Sequence, residues 1–456
     1  MTTPLQLEDL RALIAGPVFG LTDDGFAEEV SAFNRSSVHT PDVAVGVTCE
    51  ADVVEAICFA VANNLPVRIQ ATGHGAESAI TGGMLITTAR LDGISIDKDT
   101  RIASIGAGVR WASVLAAGEP LGLTAIVGSS GNVGAIGYTL GGGIGPLSRS
   151  HGFSSDYARG FTLVTADGSV VTADAEENSD LFWALRGGKG GFGVVTEMRF
   201  ELVPLPQLYA GSLFFDTPHI ETVLRSWIHW SRTADAHVTT SIAILRLPDL
   251  NVIPEPFRGR TLLNLRFAYP GGESEGNRLA APLREIAPVM ADSIGVLPAS
   301  QVGTIHNDPS IPGPVWVTGG LLADIDQDFA TELLATVGPD QAVPLISVEI
   351  RQLGARTFVD VPEGSAVGGR ASGYTLMIVG VPNPELFVTV LPGITGHIKS
   401  TIAPWISTET TINFAGGGSI AEQFDKAWPA QIRDRLSSFR AEWDPNGVFA
   451  YGPAPV

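Results

Sequence analysis

Arg68-Ile69-Gln70-Ala71-Thr72-Gly73-His74-Gly75 is the stretch on which the reading of this chain turns. It follows a short apolar run, Leu65-Pro66-Val67, and sets one histidine between two glycines, where backbone turns sharply and approaches a ligand closely. His74 is therefore presented rather than packed. Further on comes Gly128-Ser129-Ser130-Gly131-Asn132-Val133-Gly134-Ala135-Ile136-Gly137-Tyr138-Thr139-Leu140-Gly141-Gly142-Gly143-Ile144-Gly145. This run is too glycine-rich for an ordinary helix and too apolar for a flexible linker. Backbone packed against a large flat or anionic ligand accounts for both stretches.

A third stretch reads Asp180-Leu181-Phe182-Trp183-Ala184-Leu185-Arg186-Gly187-Gly188-Lys189-Gly190-Gly191-Phe192-Gly193-Val194-Val195-Thr196. Together the three resemble the FAD-linked oxidases of the vanillyl-alcohol oxidase type, berberine-bridge-enzyme-like group. The family's Arg-x-x-x-x-Gly-His falls on Arg68, Gly73 and His74, and its Gly-Gly-Gly-x-Gly, Arg-x-x-Gly and Asp on Gly141 to Gly145, Arg149, Gly152 and Asp156. The third stretch follows the family's wording almost residue for residue. The resemblance implies an α+β fold: a two-subdomain FAD-binding domain of the PCMH type over 1–205, to which 410–456 return, and an inserted substrate domain over 206–409 whose antiparallel sheet is covered by helices. It also implies FAD held by a single covalent bond from His74.

Composition agrees with a large soluble enzyme. At 456 residues the chain exceeds the size at which single cores stop growing, so two domains are expected. No stretch approaches the ~20 consecutive apolar residues that span a bilayer, and the N-terminus lacks a basic segment followed by an apolar core, so a cytoplasmic location is expected. A net charge of −20 argues against nucleic acid or an anionic membrane as partner. Cys49 and Cys58 are too few for a disulfide framework, lack zinc-ligand spacing, and read as small hydrophobes. No metal is expected.

Periodicity predicts strands at 43–47, 67–69 and 84–88 with an amphipathic helix over 50–64, a βαβ-like unit. A second unit has a strand near 102–106, a helix over 111–118 and a hairpin over 161–172 turned by Asp167-Gly168. After Pro204-Leu205-Pro206 the texture changes to long strands at 211–215, 261–267, 345–350 and 374–379, with helices such as 217–233.

The cofactor is expected at Arg68, Ala71, Thr72, Gly73, His74, Gly75, Ser130, Gly131, Asn132, Val133, Gly134, Gly137, Gly141, Gly142, Gly143, Gly193, Val195 and Asn413. A pyrophosphate wants several backbone N–H donors and little side-chain bulk, which 71–75 and 131–137 supply. The Gly141–Gly145 run lacks the Gly-x-Gly-x-x-Gly order of a nicotinamide-binding turn. Arg68 and Arg149 read equally as ligand-directed or as ordinary surface ion pairs; Trp183 and Phe192 read as core.

Where many members of the family attach the flavin a second time through cysteine, this chain has Ser130. Val133 falls where relatives that use oxygen keep a small side chain beside the reactive flavin carbon. Where many carry Tyr-x-Asn, this chain has Thr411-Ile412-Asn413, so that tyrosine is absent. Flavin oxidation needs a base for the O–H or N–H proton as hydride leaves carbon. Glu349 is the leading candidate, with Arg351 on the same strand face to hold it ionised; Tyr374 is second, and Tyr138 and His306 follow. The resemblance thus implies an oxidase removing a hydride from a small-molecule alcohol, amine or phenol in specialised metabolism or catabolism, with O₂ as acceptor and H₂O₂ as product. The alternative is a dehydrogenase with another acceptor, or a non-catalytic flavin carrier.

Overall fold

The computed structural model describes residues 7–416 and 420–449. Three sheets organise the chain. The first has strands in the order Val18–Gly20, Val43–Gly46, Met84–Thr87, Val67–Gln70, the last three mutually parallel. Helix Glu50–Ala62 packs on it through Val53, Ala56, Ile57 and Ala60; of the expected apolar stripe Val53, Val54, Ile57, Ala60 and Val61, Val54 is only half-buried and Val61 is exposed. The second sheet is antiparallel, in the order Ile94–Asp97, Ile102–Gly106, Val194–Glu201, Ala158–Val164, Val170–Ala173. Its hairpin turns at Asp167-Gly168, with Gly168 at φ 80°. Helices Trp111–Gly118 and Ser179–Leu185 contribute to its core.

The third sheet spans Gln207 to Gly380 and is antiparallel throughout. Its order is Val289–Asp292, Gln207–Phe215, Thr261–Tyr269, Thr239–Arg246, Leu345–Gln352, Tyr374–Gly380, Val317–Leu322, with Gly295–Pro298 also paired to Gln207–Phe215. The helices Ile220–Ser231, Glu273–Arg284, Gln327–Val337 and Val390–Thr401 cover one face, burying Leu213, Ile242, Leu265, Val348, Ile350 and Leu376. Strand alternation sends the intervening residues to the other face. There Asn264, Arg266, Ser241, Glu349 and Arg351 are all buried although polar.

The expected 217–233 helix is a 3₁₀ turn, Thr217–His219, followed by Ile220–Ser231. The glycine run is not devoid of helix either. Ala135–Thr139 form a short one, because four of its five residues carry a Cβ and the flanking glycines relieve the turns on each side. The last helix, Ala430–Trp443, returns to the first half: Arg440 donates to the Gly188 and Gly190 carbonyls, and Val67 N donates to Val448 O at 2.7 Å. Among the described residues no helix is long and apolar enough to cross a membrane.

Candidate FAD and substrate site

Two glycine-bearing loops meet. Gly73 takes φ 67°, and a Cβ there would stand 2.5 Å from Ala32 Cβ, so this turn admits only glycine. The loop is pinned from outside by Phe33 N to Thr72 O (2.9 Å) and Asn34 N to Gly73 O (3.3 Å). The Phe33 ring stacks on His74 at 3.7 Å between centroids and 12° between planes, fixing the imidazole. Gly134 lies against the same loop: a Cβ there would meet Ala71 Cβ at 3.4 Å and Thr72 at 3.6 Å.

His74 Nδ1 lies 2.8 Å from Thr72 Oγ1, whereas Nε2 is buried without a partner. Burial, with the positive Arg110 behind it, lowers the imidazole pKa to about 4, so the ring is neutral near pH 7. The amides of Thr72, Gly73, His74 and Gly75 donate to no acceptor among the described residues, nor do those of Ser129, Ser130, Gly131 and Asn132. Eight free N–H groups on two touching loops are a cradle for anionic oxygens. The residues present therefore fit FAD: amides for its pyrophosphate and an unpartnered imidazole nitrogen at the attachment position.

The other glycines have different reasons. Gly128 and Gly143 close on the Tyr138 ring, where a Cβ would come within 2.9 and 2.5 Å. A Cβ on Gly141 would stand 2.1 Å from Asn413 Oδ1. Asn413 Nδ2 donates to Tyr138 O (2.9 Å), and Lys189 Nζ donates to both Gly137 O (2.7 Å) and Asn413 Oδ1 (2.8 Å). Lys189 and Asn413 thus tie the C-terminal segment to the glycine run. Burial lowers the Lys189 pKa to about 8. Gly142 takes φ 93° beside Val367, while Gly75 and Gly137 have open space where a Cβ would be. Gly193 sits on the backbone of Val164 and Val195 pairs with Leu163, so sheet packing alone accounts for both. Val133 is half-buried against the second core, and Asn132 reaches Ser310 O at 3.4 Å.

Arg68 Nη1 is buried and without a partner. Arg149 is not a surface ion pair. It is buried and donates to the carbonyls of Val238, Leu353, Ala234 and Asp235, fastening the glycine-rich half to the third sheet.

Facing the glycine run, the third sheet presents a charged cluster. Arg266 Nη1 donates to Glu349 Oε1 (2.7 Å), Arg351 Nη2 donates to Glu349 Oε2 (2.9 Å), and His306 Nε2 lies 3.2 Å from Oε1. Arg351 thus contacts the carboxylate directly. However, burial, which would raise the Glu349 pKa, is outweighed by Arg351, Arg266 and His306, which hold it well below the usual range. A carboxylate so engaged is a poor proton acceptor, which corrects the expectation of Glu349 as the base. His306 is neutral instead: burial, then Arg266 and Arg351, lower its pKa; Nδ1 has no partner among the described residues, and Nε2, though near Glu349 Oε1, makes no well-directed hydrogen bond to it.

Tyr374 is a second correction. Its side chain lies on the helix-covered face, packed on Trp227 and hydrogen-bonded to Ser231 Oγ (2.8 Å), because it shares the parity of Leu376 and Ile378. Tyr138 remains beside the cluster, its buried hydroxyl without a partner and its pKa pushed upward by burial. Arg266 and Ser241 were not anticipated. Their signal was present as polar residues at alternate places in Asn264-Leu265-Arg266-Phe267 and as a serine heading the apolar run Ser241-Ile242-Ala243-Ile244.

The family of FAD-binding domains matches residues 41–174. The chain is 29% identical to an uncharacterised FAD-linked oxidoreductase, YgaK, of Bacillus subtilis over 66% of its own length and 65% of the relative's. It is 28% identical to (R)-6-hydroxynicotine oxidase of Paenarthrobacter nicotinovorans over 67% and 64%. The chain thus spans slightly less than two thirds of these curated relatives. Among solved structures, 6-hydroxy-D-nicotine oxidase of Arthrobacter nicotinovorans superposes with TM-score 0.82 at 23% identity, covering 98% of each chain. A glucooligosaccharide oxidase of Acremonium strictum, described with a 6-S-cysteinyl, 8α-N1-histidyl FAD, gives 0.81 at 19% identity, covering 96% of this chain and 97% of that one.

Proposed function

Because this chain belongs to the FAD-linked oxidoreductases of the vanillyl-alcohol oxidase type, we propose that it oxidises a small-molecule alcohol, amine or phenol, with dioxygen as final acceptor and hydrogen peroxide as product. The observations that carry the reading are the two touching free-amide loops with His74 Nε2 unpartnered, and the charged cluster on the third sheet, which lines one cavity together with Gly145 and Pro146 of the glycine run. Bound FAD supplies a two-electron acceptor for hydride. His74 holds it covalently through Nε2, since Nδ1 is engaged by Thr72; the tautomer with its proton on Nδ1 leaves the lone pair on Nε2. The attachment is single, because Ser130 offers no thiol and both cysteines are exposed on or beside helix Glu50–Ala62.

The chain's own chemical contribution is the proton. As hydride leaves carbon, the substrate's O–H or N–H acidifies and needs an acceptor. His306 Nδ1 is that acceptor: the imidazole is neutral, its other nitrogen faces Glu349, and the ionised carboxylate stabilises the imidazolium that forms. Glu349 is then a positioning residue, itself held by two guanidiniums. Val133, small and half-buried in the glycine run, supports oxygen as acceptor, in keeping with the oxidases that the chain resembles. The test is to photoreduce the purified protein and admit air. Reoxidation within seconds, with stoichiometric peroxide, is expected; slow reoxidation would sink the oxidase reading in favour of a dehydrogenase.

A further inference from the structure

Strand register places a row of donors across the wall of the proposed substrate site. Ser212 pairs with Arg266, Arg266 with Ser241, Ser241 with Arg351 and Arg351 with Thr375, so five side chains from five adjacent strands lie in one line on one face. None is acidic. Glu349 stands in the next row, opposite Ala243 and Met377.

The row is buried, with Arg266 at 7%, Ser241 at 3% and Arg351 at 6% exposure. Yet Arg266 Nε, Ser241 Oγ, Arg351 Nε and Thr375 Oγ1 have no hydrogen-bond partner among the described residues. Buried polar groups are nearly always partnered, and each one left unmade costs about 1–3 kcal/mol, so four adjacent ones point to an absent acceptor. The charges agree. Two buried guanidiniums share the single carboxylate of Glu349, while His306 is neutral. Another carboxylate that acts on Arg351 is that of Asp308, which is half-buried and accepts from Ser129 Oγ (2.6 Å). Two buried guanidiniums thus share one directly bonded carboxylate, a costly arrangement that a ligand anion would relieve. A small cavity of about 10 Å³, room for a single water, lies at this point, lined by Arg266, Ser241, Arg351 and His306 together with Gly145 and Pro146 of the glycine run.

We propose that the substrate carries a carboxylate, and that its oxygens lie along Arg266, Ser241 and Arg351. This rests on the reading of the site as the place where substrate is oxidised. It adds a specificity determinant: the anionic group is held on the arginine row while the reacting O–H or N–H is turned toward His306. A charge-assisted pair of this kind, desolvated at the back of a site, selects strongly against neutral and cationic analogues.

The experiment uses the flavin-loaded protein with three probes of one shape, namely benzoate, benzamide and benzylamine, titrated by calorimetry at neutral pH and low salt. Benzoate is expected to bind at least about tenfold tighter than benzamide, with benzylamine weakest. Arg351→Gln should lower benzoate affinity about tenfold and leave benzamide unchanged. Glu349→Gln, which removes the internal counter-ion, should tighten benzoate. Should that variant not fold, the wild-type ranking and Arg351→Gln decide alone. Benzamide or benzylamine binding as tightly as benzoate, no saturable benzoate binding at millimolar concentration, or benzoate indifferent to Arg351→Gln each overturns the proposal. Flavin content and reoxidation by air are measured on the same sample. A flavin-free or air-stable protein defeats the oxidase reading, whereas a competent flavoprotein without anion preference defeats only the carboxylate.

Discussion

Thr72 Oγ1 stands 2.8 Å from His74 Nδ1, and this contact makes the two nitrogens of one imidazole unequal. Only Nε2 is left unpartnered among the described residues, and in the tautomer whose Nδ1–H donates to Thr72 the neutral ring is nucleophilic there at pH 7. FAD should therefore stay with the polypeptide after acid precipitation, and His74→Ala should release it to the supernatant. Peptide mapping should find flavin only on the His74 peptide and linked through Nε2. A linkage at Nδ1, or a flavinylated peptide from 128–145, would refute the assignment.

His306 and Tyr374 make opposite predictions. His306→Gln removes the proposed proton acceptor and should slow anaerobic flavin reduction by ~10²–10⁴-fold. Tyr374→Phe loses one buried hydrogen bond to Ser231 on the far face of the sheet, so it should cost ~1 kcal/mol of stability and leave the reduction rate within a small factor of wild type. Stopped-flow reduction with thermal melts separates the two; a rate collapse in Tyr374→Phe would return that residue to the mechanism.

Glu349→Gln leaves two buried guanidiniums short of their carboxylate. Breaking a buried pair in this way typically costs about 3–5 kcal/mol, so the variant should melt well below wild type rather than at the same temperature. The folded pKa is depressed, so this stabilisation is fully present above the unfolded value near 4.5 and is lost as pH falls through and below it. The melting difference between the two proteins should accordingly shrink on acidification from pH 6 toward pH 3 (about the span over which an ordinary Glu protonates). A difference that does not change with pH would show that the pair contributes no linked protonation.

Gly141 and Gly137 share a motif but differ in room. Gly141→Ala drives a methyl into the Asn413 amide and should cost ~1–3 kcal/mol while loosening the C-terminal segment, seen as faster amide exchange around 410–416. Gly137→Ala adds a methyl to open space in a helix, where alanine is favoured by roughly 0.5–1 kcal/mol. It should melt at or above wild type. Loss of flavin in that stable variant would show that Gly137 faces the cofactor.

Local constraints were legible in the sequence. Gly73 and Gly168 are demanded by backbone angles that follow from their own neighbours. The helices over 50–62 and 111–118 follow from apolar spacing, and strand parity already placed Glu349 beside Arg351. The resemblance to the family's Arg-x-x-x-x-Gly-His motif, rather than the glycines alone, pointed to His74 as the proposed attachment position. The tertiary structure alone decided which groups meet across strands far apart in the chain. Arg266 and Glu349 are joined by the order of the third sheet, and that order sets Thr239–Arg246 between their strands. The same register turned Glu349 from a base into a counter-ion, because a carboxylate's basicity depends on charges that no local window contains. It also put Tyr374 on the wrong side of its sheet for catalysis. Alternation along a strand gives two faces, but only packing determines which one the helices cover.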